Sequence, residues 1–304
     1  MSATFSALMP VFLVIVVGAI ARRLKPFPDS VWDAVDTLVY WLLLPALLVV
    51  KLGATDLSAQ DWEPMAAALA GATLIAATAT ALLRPILRLS PGIYTSVLQG
   101  AVRQNSYIGL AAASALYGQD GLTLAAVGIA GVIPLVNVIA VWSLNRHLRD
   151  TPPDLTTMVL LMIKNPIIVA CAIGIAFNAS GLTAPIAMVD GLEMLGGAAL
   201  PMGLLSVGAG LRFAAIQRGW AAITLANTIK LVAVPLLTLW LCREFDAAPI
   251  ATAVAVLFAS LPSSAASYVF SRQLGGDHEL MAAILTTQVV VAAITIPVFV
   301  GLLG

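Results

Sequence analysis

Charge is what this chain has least of: 10% of its 304 residues are Asp, Glu, Lys or Arg, against 61% hydrophobic. Soluble domains carry charge on about a quarter of their residues, so a fold that shows its surface to water is excluded. Cysteine is nearly absent. Cys171 and Cys242 both lie in apolar runs, which leaves no disulfide framework and no thiolate metal site. His147 and His278 are the only histidines, too few for a His-based metal cluster; no metal and no cofactor is expected. A formal net charge of zero and the lack of a basic cluster exclude a nucleic-acid partner. The chain has no HExxH and no GxSxG nucleophile turn, and Gly275-Gly276-Asp277 falls at a helix end near the surface, so no enzyme is expected. Short segments alternating apolar and polar, as in an outer-membrane barrel, are also missing.

Long apolar runs are what the chain has instead. Ten candidate spans read 4–22, 34–52, 64–83, 94–117, 122–145, 158–178, 187–210, 219–241, 250–272 and 280–303, each long enough for about 30 Å of hydrocarbon. The partner of most of the surface is therefore a lipid bilayer, and the expected class is an all-α polytopic membrane protein. In the first run the positive charges Arg22, Arg23 and Lys25 follow rather than precede, and no cleavage pattern comes after them, so the run reads as a retained helix. Loops after odd-numbered spans carry Arg22, Arg23, Lys25, Arg84, Arg88, Arg146, Arg149, Arg212, Arg218 and Arg272, ten in all, whereas the opposite loops carry only Lys51 and Arg243. Cytoplasmic loops hold the Lys/Arg excess. The odd loops are expected in the cytoplasm and both termini outside the inner (plasma) membrane.

The chain also repeats itself at an offset near 157. LLPALL with Pro45 answers to ALPMGLL with Pro201; Pro10 and Gly18 answer to Pro166 and Gly174; Trp62 answers to Trp220, and Asp120 to Asp277. Five spans per half is an odd number, so the second half inserts upside down. Inverted repeats mark secondary transporters, whose substrate sites lie at interrupted helices near the midplane.

Two such interruptions stand out. AVRQNSYIGL places Arg103, Gln104, Asn105 and Ser106 inside the fourth span, and adding 157 to Asn105 gives Pro262, the centre of ASLPSSAAS in the ninth. Asn105 and Ser106 suit the N-cap of a half-helix, with Gly109 loosening the next turn. Pro262 breaks its own helix, and Ser260, Ser263, Ser264 and Ser267 can bond the freed backbone groups. Two half-helix N-termini would then meet from opposite sides, each with about half a positive charge, an arrangement suited to a carboxylate. Small polar residues gluing packed helices together is the alternative reading. Expected substrate-binding residues are Arg103, Gln104, Asn105, Ser106, Pro262, Ser263, Ser264 and Lys230; expected breaks or hinges are Pro45, Gly109, Pro201 and Pro262. Arg103 stays open between anion ligand and snorkelling side chain, and Lys230 between the substrate path and an acidic partner within the bundle. Lys164 is expected to snorkel, and Asp190 and Glu193 to pair with the dipole of their helix.

The order of LLPALL, QNSYIGLAAASALYGQDGL, KNPIIVACAIGI, LPMGLLSVGAGL, Lys230 with Pro235, LPSSAASYVFSRQLGGD and TTQVVVAAITIP resembles the auxin efflux carrier family. That family includes the plant PIN proteins and bacterial carriers associated with malonate and other organic acids, and the resemblance covers essentially the whole chain. It implies ten helices as two inverted five-helix repeats, residues 1–150 and 151–304, in a bile-acid-symporter/Na+-H+-antiporter-like architecture. Scaffold and transport domains would each draw on both repeats and move against one another in an elevator-like or rocking manner. Helices 4 and 9 would be broken and cross, with a carboxylate substrate at the crossover beside Asn105 and Pro262. One departure is Ala111, where members often have proline. The function expected is a secondary carrier of small organic anions by alternating access. A passive anion channel and a sodium-coupled symporter are the alternatives. Proton coupling is favoured over sodium because the ninth span offers serines and no acid, with Asp190, Glu193 and Asp277 as candidate proton carriers. A homodimer is also allowed.

Overall fold

A computed structural model describes residues 2–55, 62–148, 155–182, 184–217 and 219–303; Arg149 and Arg218 of the expected positive loops lie outside them. The described residues form helices and no strand. In order they are α1 (Ser2–Leu24), α2 (Asp29–Leu38), α3 (Leu44–Ala54), α4 (Glu63–Ile86), α5 (Pro91–Val102), α6 (Ser106–Leu148), α7 (Leu155–Ile163), α8 (Pro166–Ser180), α9 (Ile186–Ala209), α10 (Trp220–Thr228), α11 (Val234–Glu244), α12 (Pro249–Ala259), α13 (Ala265–Leu274) and α14 (His278–Gly301). Among the described residues, seven stretches are long and apolar enough to cross a membrane, and α8 and α12 are shorter apolar helices. One of the seven, Pro91–Leu148, runs 58 residues, far beyond the roughly 20 that one crossing needs. It turns at Gly118, whose φ of 63° and ψ of −143° only glycine adopts readily.

Local chemistry sets where the helices start. Pro91, Pro166 and Pro249 open α5, α8 and α12, at a position where the missing N–H has no helical partner to lose. Asn165 caps α8 by accepting from the N–H groups of Ile167 and Ile168, and Asp277 caps α14 through the N–H of Leu280 at 2.9 Å. A wide π-helical turn, Val39–Leu43, joins α2 to α3 just before Pro45, and a second, Ile229–Ala233, joins α10 to α11 before Pro235. Each turn makes room for a ring that would otherwise strike the carbonyl one turn back.

The helices pack in two groups. α1 lies along α9, and α3 lies along α8 and α9. The α1–α9 contact is backbone to backbone: a Cβ at Gly18 would stand 2.1 Å from the Leu205 carbonyl oxygen, and one at Gly208 would stand 1.9 Å from that of Ile15. Association inside a bilayer relies on such close approach because lipid is as apolar as the side chains it replaces. The other group, α4, α5, α6 and α10 to α14, surrounds the two interrupted segments.

Candidate functional site: a crossover of two broken helices

α5 stops at Val102 and α6 begins at Ser106, with Arg103, Gln104 and Asn105 between them. Asn105 is the cap: its Oδ1 accepts from the N–H groups of Tyr107 at 3.1 Å and Ile108 at 3.2 Å. In the second interruption α12 ends at Ala259 and α13 begins at Ala265, after Ser260, Leu261, Pro262, Ser263 and Ser264. Ser264 caps α13 by accepting from the Ala266 N–H at 3.3 Å. The two breaks touch through the backbone, the Asn105 N–H donating to the Pro262 carbonyl at 2.9 Å. Gly109 lies inside α6, where a Cβ would come within 2.6 Å of Leu261 Cδ1, so it admits the second break rather than making the first.

Further polar contacts hold the crossing. Gln288, fully buried in α14, accepts from the Ser263 N–H at 2.8 Å and donates through Nε2 to the Gly100 carbonyl at 2.9 Å. One side chain thus ties both broken helices to a third. Ser263 donates to the Gln99 carbonyl at 3.3 Å and lies 3.1 Å from Ser267, and Gln99 Nε2 donates to Ser271 at 3.0 Å. Ser260 folds back on Val256 at 2.7 Å.

Arg103 is buried inside the protein rather than extended along its surface. It is 5% exposed, donates through Nη2 to Asn137 Oδ1 at 2.8 Å, and lies over the Phe270 ring at 4.7 Å. Its Nε and Nη1 have no hydrogen-bond partner. Two cavities flank α13 beside it. One, of about 520 Å³, is bordered by Arg103, Gln104, Ser106, Asn137 and Ser264; the other, of about 490 Å³, by Asn105, Ser263, Arg212 and Arg272. Asp36 of α2 borders both.

Lys230 is not among the residues bordering either cavity. It is fully buried in the second π-helical turn, and its Nζ has no hydrogen-bond partner. Pro45 stands just beyond the first such turn, whereas Pro201 lies within the uninterrupted α9. Lys164, Asp190 and Glu193 are exposed. Asp277 is a helix cap whose carbonyl also accepts from Ser96 at 3.0 Å. Sequence reasoning passed over Asp36, Asn137 and Gln288. Gln288 had a signal, as a lone amide in the middle of TTQVVV. No group of three or more metal-ligating side chains occurs among the described residues.

Several membrane-length apolar helices, broken at two facing points with capped ends beside two cavities, have the build of a membrane transport protein. The chain belongs to the auxin efflux carrier family: the family profile described as "Membrane transport protein" matches residues 3–300. It is 25% identical over 305 residues to the "Putative malonate transporter" of Rhizobium meliloti (strain 1021), over 94% of this chain and 92% of that protein.

Proposed function

We propose that this protein is a secondary carrier of small organic anions, binding a carboxylate at the crossover and exposing it alternately to the two sides of the membrane. The observation that carries this reading is the hydrogen bond from Asn105 to Pro262, which brings two capped half-helix ends together beside a cavity bordered by Arg103. In this reading Arg103 is the fixed cation. The positive dipole ends at the starts of α6 and α13 favour the negative charge and the amide of Gln104 supplies a directional donor, with Ser106, Ser263 and Ser264 around them. The malonate named for the relative makes a short carboxylate the first substrate to test.

The architecture that goes with it is ten crossings in two inverted repeats, 1–150 and 151–304. The Pro91–Leu148 stretch would supply two crossings, while α7 with α8 and α12 with α13 would supply one each. Paired contacts support the repeat. Gly18 of α1 meets Leu205 of α9, and Gly174 of α8 meets Val49 of α3, with a Cβ at Gly174 standing 3.1 Å from the Val49 carbonyl oxygen. Gly18 and Gly174 are 156 residues apart, as are Val49 and Leu205, so one contact is the image of the other. The Lys/Arg distribution orients the odd loops to the cytoplasm and both termini outward, in a bacterial inner membrane.

Uptake of labelled malonate and other mono- and dicarboxylates into liposomes holding the purified protein tests the reading. Saturable uptake of at least one acid is expected. Folded protein that moves none of them would overturn it.

A further inference from the structure

Asp36 is an acid at the crossover with no cation closed on it. It stands in α2 just ahead of the π-helical turn, half-buried, and Ser206 of α9 donates to its Oδ1 at 2.6 Å. Asp36 borders both cavities, which are also lined by Asn105 of the first break, Ser106 at the start of α6, and Ala265 and Gln273 of α13. The single ion pair among the described residues is Arg22 with Asp29.

The other charged and titratable groups around these cavities come from every element that lines them. Asp33 and Tyr40 share the α2 face and its following turn, Arg22 comes from α1, Arg103 from the first break and Tyr107 from α6. Arg212 follows α9, and Tyr268 and Arg272 stand on α13. Three of the four arginines are engaged elsewhere. Arg22 donates to the Ala209 carbonyl at 3.0 Å, Arg103 holds Asn137, and Arg212 lies over the Tyr268 ring at 5.2 Å. The cations are thus spread along the walls where an incoming anion passes, and Asp36 is held by a neutral hydroxyl alone.

We propose that Asp36 is the proton site of the carrier: binding of an organic carboxylate at the crossover is accompanied by uptake of one proton from solution onto the Asp36 carboxylate. This rests on the anion-carrier reading given above. Two like charges in one confined, partly dehydrated site disfavour each other's ionised form. A bound anion therefore strengthens proton binding at Asp36, and by linkage the proton strengthens anion binding by the same factor. Charge balances: one carboxylate and one proton enter, Asp36 becomes neutral, and no bond other than its O–H forms. Ser206 stays with the carboxyl in either state, since its oxygen can accept as readily as its O–H donates. A proton gradient across the membrane would then drive accumulation of the anion without any sodium site.

Calorimetric titration of the purified protein with malonate, in buffers of different ionisation enthalpy, counts the protons taken up per anion bound. Acetate serves as a second probe, because its own ionisation is complete over the range used. Wild-type protein should take up protons on binding, up to one per anion, and its affinity should fall several-fold between about pH 6 and about pH 8. Asp36→Asn should bind with no proton uptake and a flat pH profile, while Asp36→Glu should retain both. Should Asp36→Asn fail to fold, Asp36→Ser gives the same readout with a group that can still meet Ser206. Heat of binding without proton uptake in wild type overturns the proposal, as does unchanged uptake in the neutral variants. If neither malonate nor acetate nor any other carboxylate binds, the carrier reading itself fails, and the proton site falls with it.

Discussion

On the carrier reading proposed above, Arg103 concentrates the chemistry of the site in one side chain. An arginine in the middle of a membrane helix costs about 2.5–3.5 kcal/mol on insertion scales. This one has a single hydrogen-bonded nitrogen, on Asn137, and an aromatic face beneath it. Nε and Nη1, on different edges of the guanidinium, are each left with donors for a charge-assisted bond to a carboxylate. Arg103→Lys keeps the charge and loses this planar set of donors, so KM for the transported acid should rise about tenfold, or about 1.4 kcal/mol of binding, and Arg103→Gln should raise it further. An unchanged KM in Arg103→Gln would remove the residue from the site. Asn105→Ala deletes a helix cap worth about 1 kcal/mol. It should lower transport while leaving a monodisperse protein, and wild-type rates in that variant would refute the crossover assignment. Both residues were legible in the sequence because four polar side chains in an apolar run demand a reason. Asp36 was not. It sits near the start of the span read from sequence as 34–52, where acids are ordinary, and only the approach of α9 and α13 gives it a role.

Among the elements, α14 decides whether the two breaks move as one. Gln288 satisfies a backbone donor on one broken helix and a backbone acceptor on the other. Gln288→Leu strands both in a dry interior at about 1–3 kcal/mol each. The expected result is a lower thermal midpoint together with slower transport, whereas full activity would mean that the bridge is dispensable. The α1–α9 contact is stricter. Gly208→Val would force its side chain into the Ile15 backbone, so well-folded protein should be lost, as size-exclusion profiles would show. Element positions were mostly readable beforehand, since apolar length and proline punctuation mark them. The π-helical turns were not, because Pro45 and Pro201 look alike in sequence. α3 meets its proline after a widened turn, whereas α9 carries Pro201 through without one. What separates them is packing from other helices, and no local pattern encodes it.

For the molecule as a whole, sidedness is the property most open to test. Cys171 and Cys242 are both buried, so cysteines introduced singly will dominate labelling by membrane-impermeant thiol reagents. Arg88→Cys should react only from the cytoplasmic side and Asp246→Cys only from the outside, both positions being exposed between helices. The opposite pattern would reverse the orientation drawn from the Lys/Arg distribution. The repeat at an offset near 157 is carried by sequence matches spread over the whole chain, which is where such a signal accumulates. The cavities were not legible in this way, because their walls come from helices remote in sequence.

The bond at the centre of the crossover has one further consequence. In a perfect two-fold pair, each break would donate an N–H to the other and accept one in return. Pro262 has no N–H to give, and the Asn105 carbonyl accepts instead from Gly109 at 3.0 Å. On the inverted-repeat reading, the pseudo-symmetry therefore fails at its own axis. Exchanging the roles of the halves does not reproduce the same contact, so the two end states of the cycle are not isoenergetic. The carrier should rest preferentially on one side even without a gradient. Distance measurements between spin labels at Arg88→Cys and Thr37→Cys should show one dominant population, and two equal ones would contradict it.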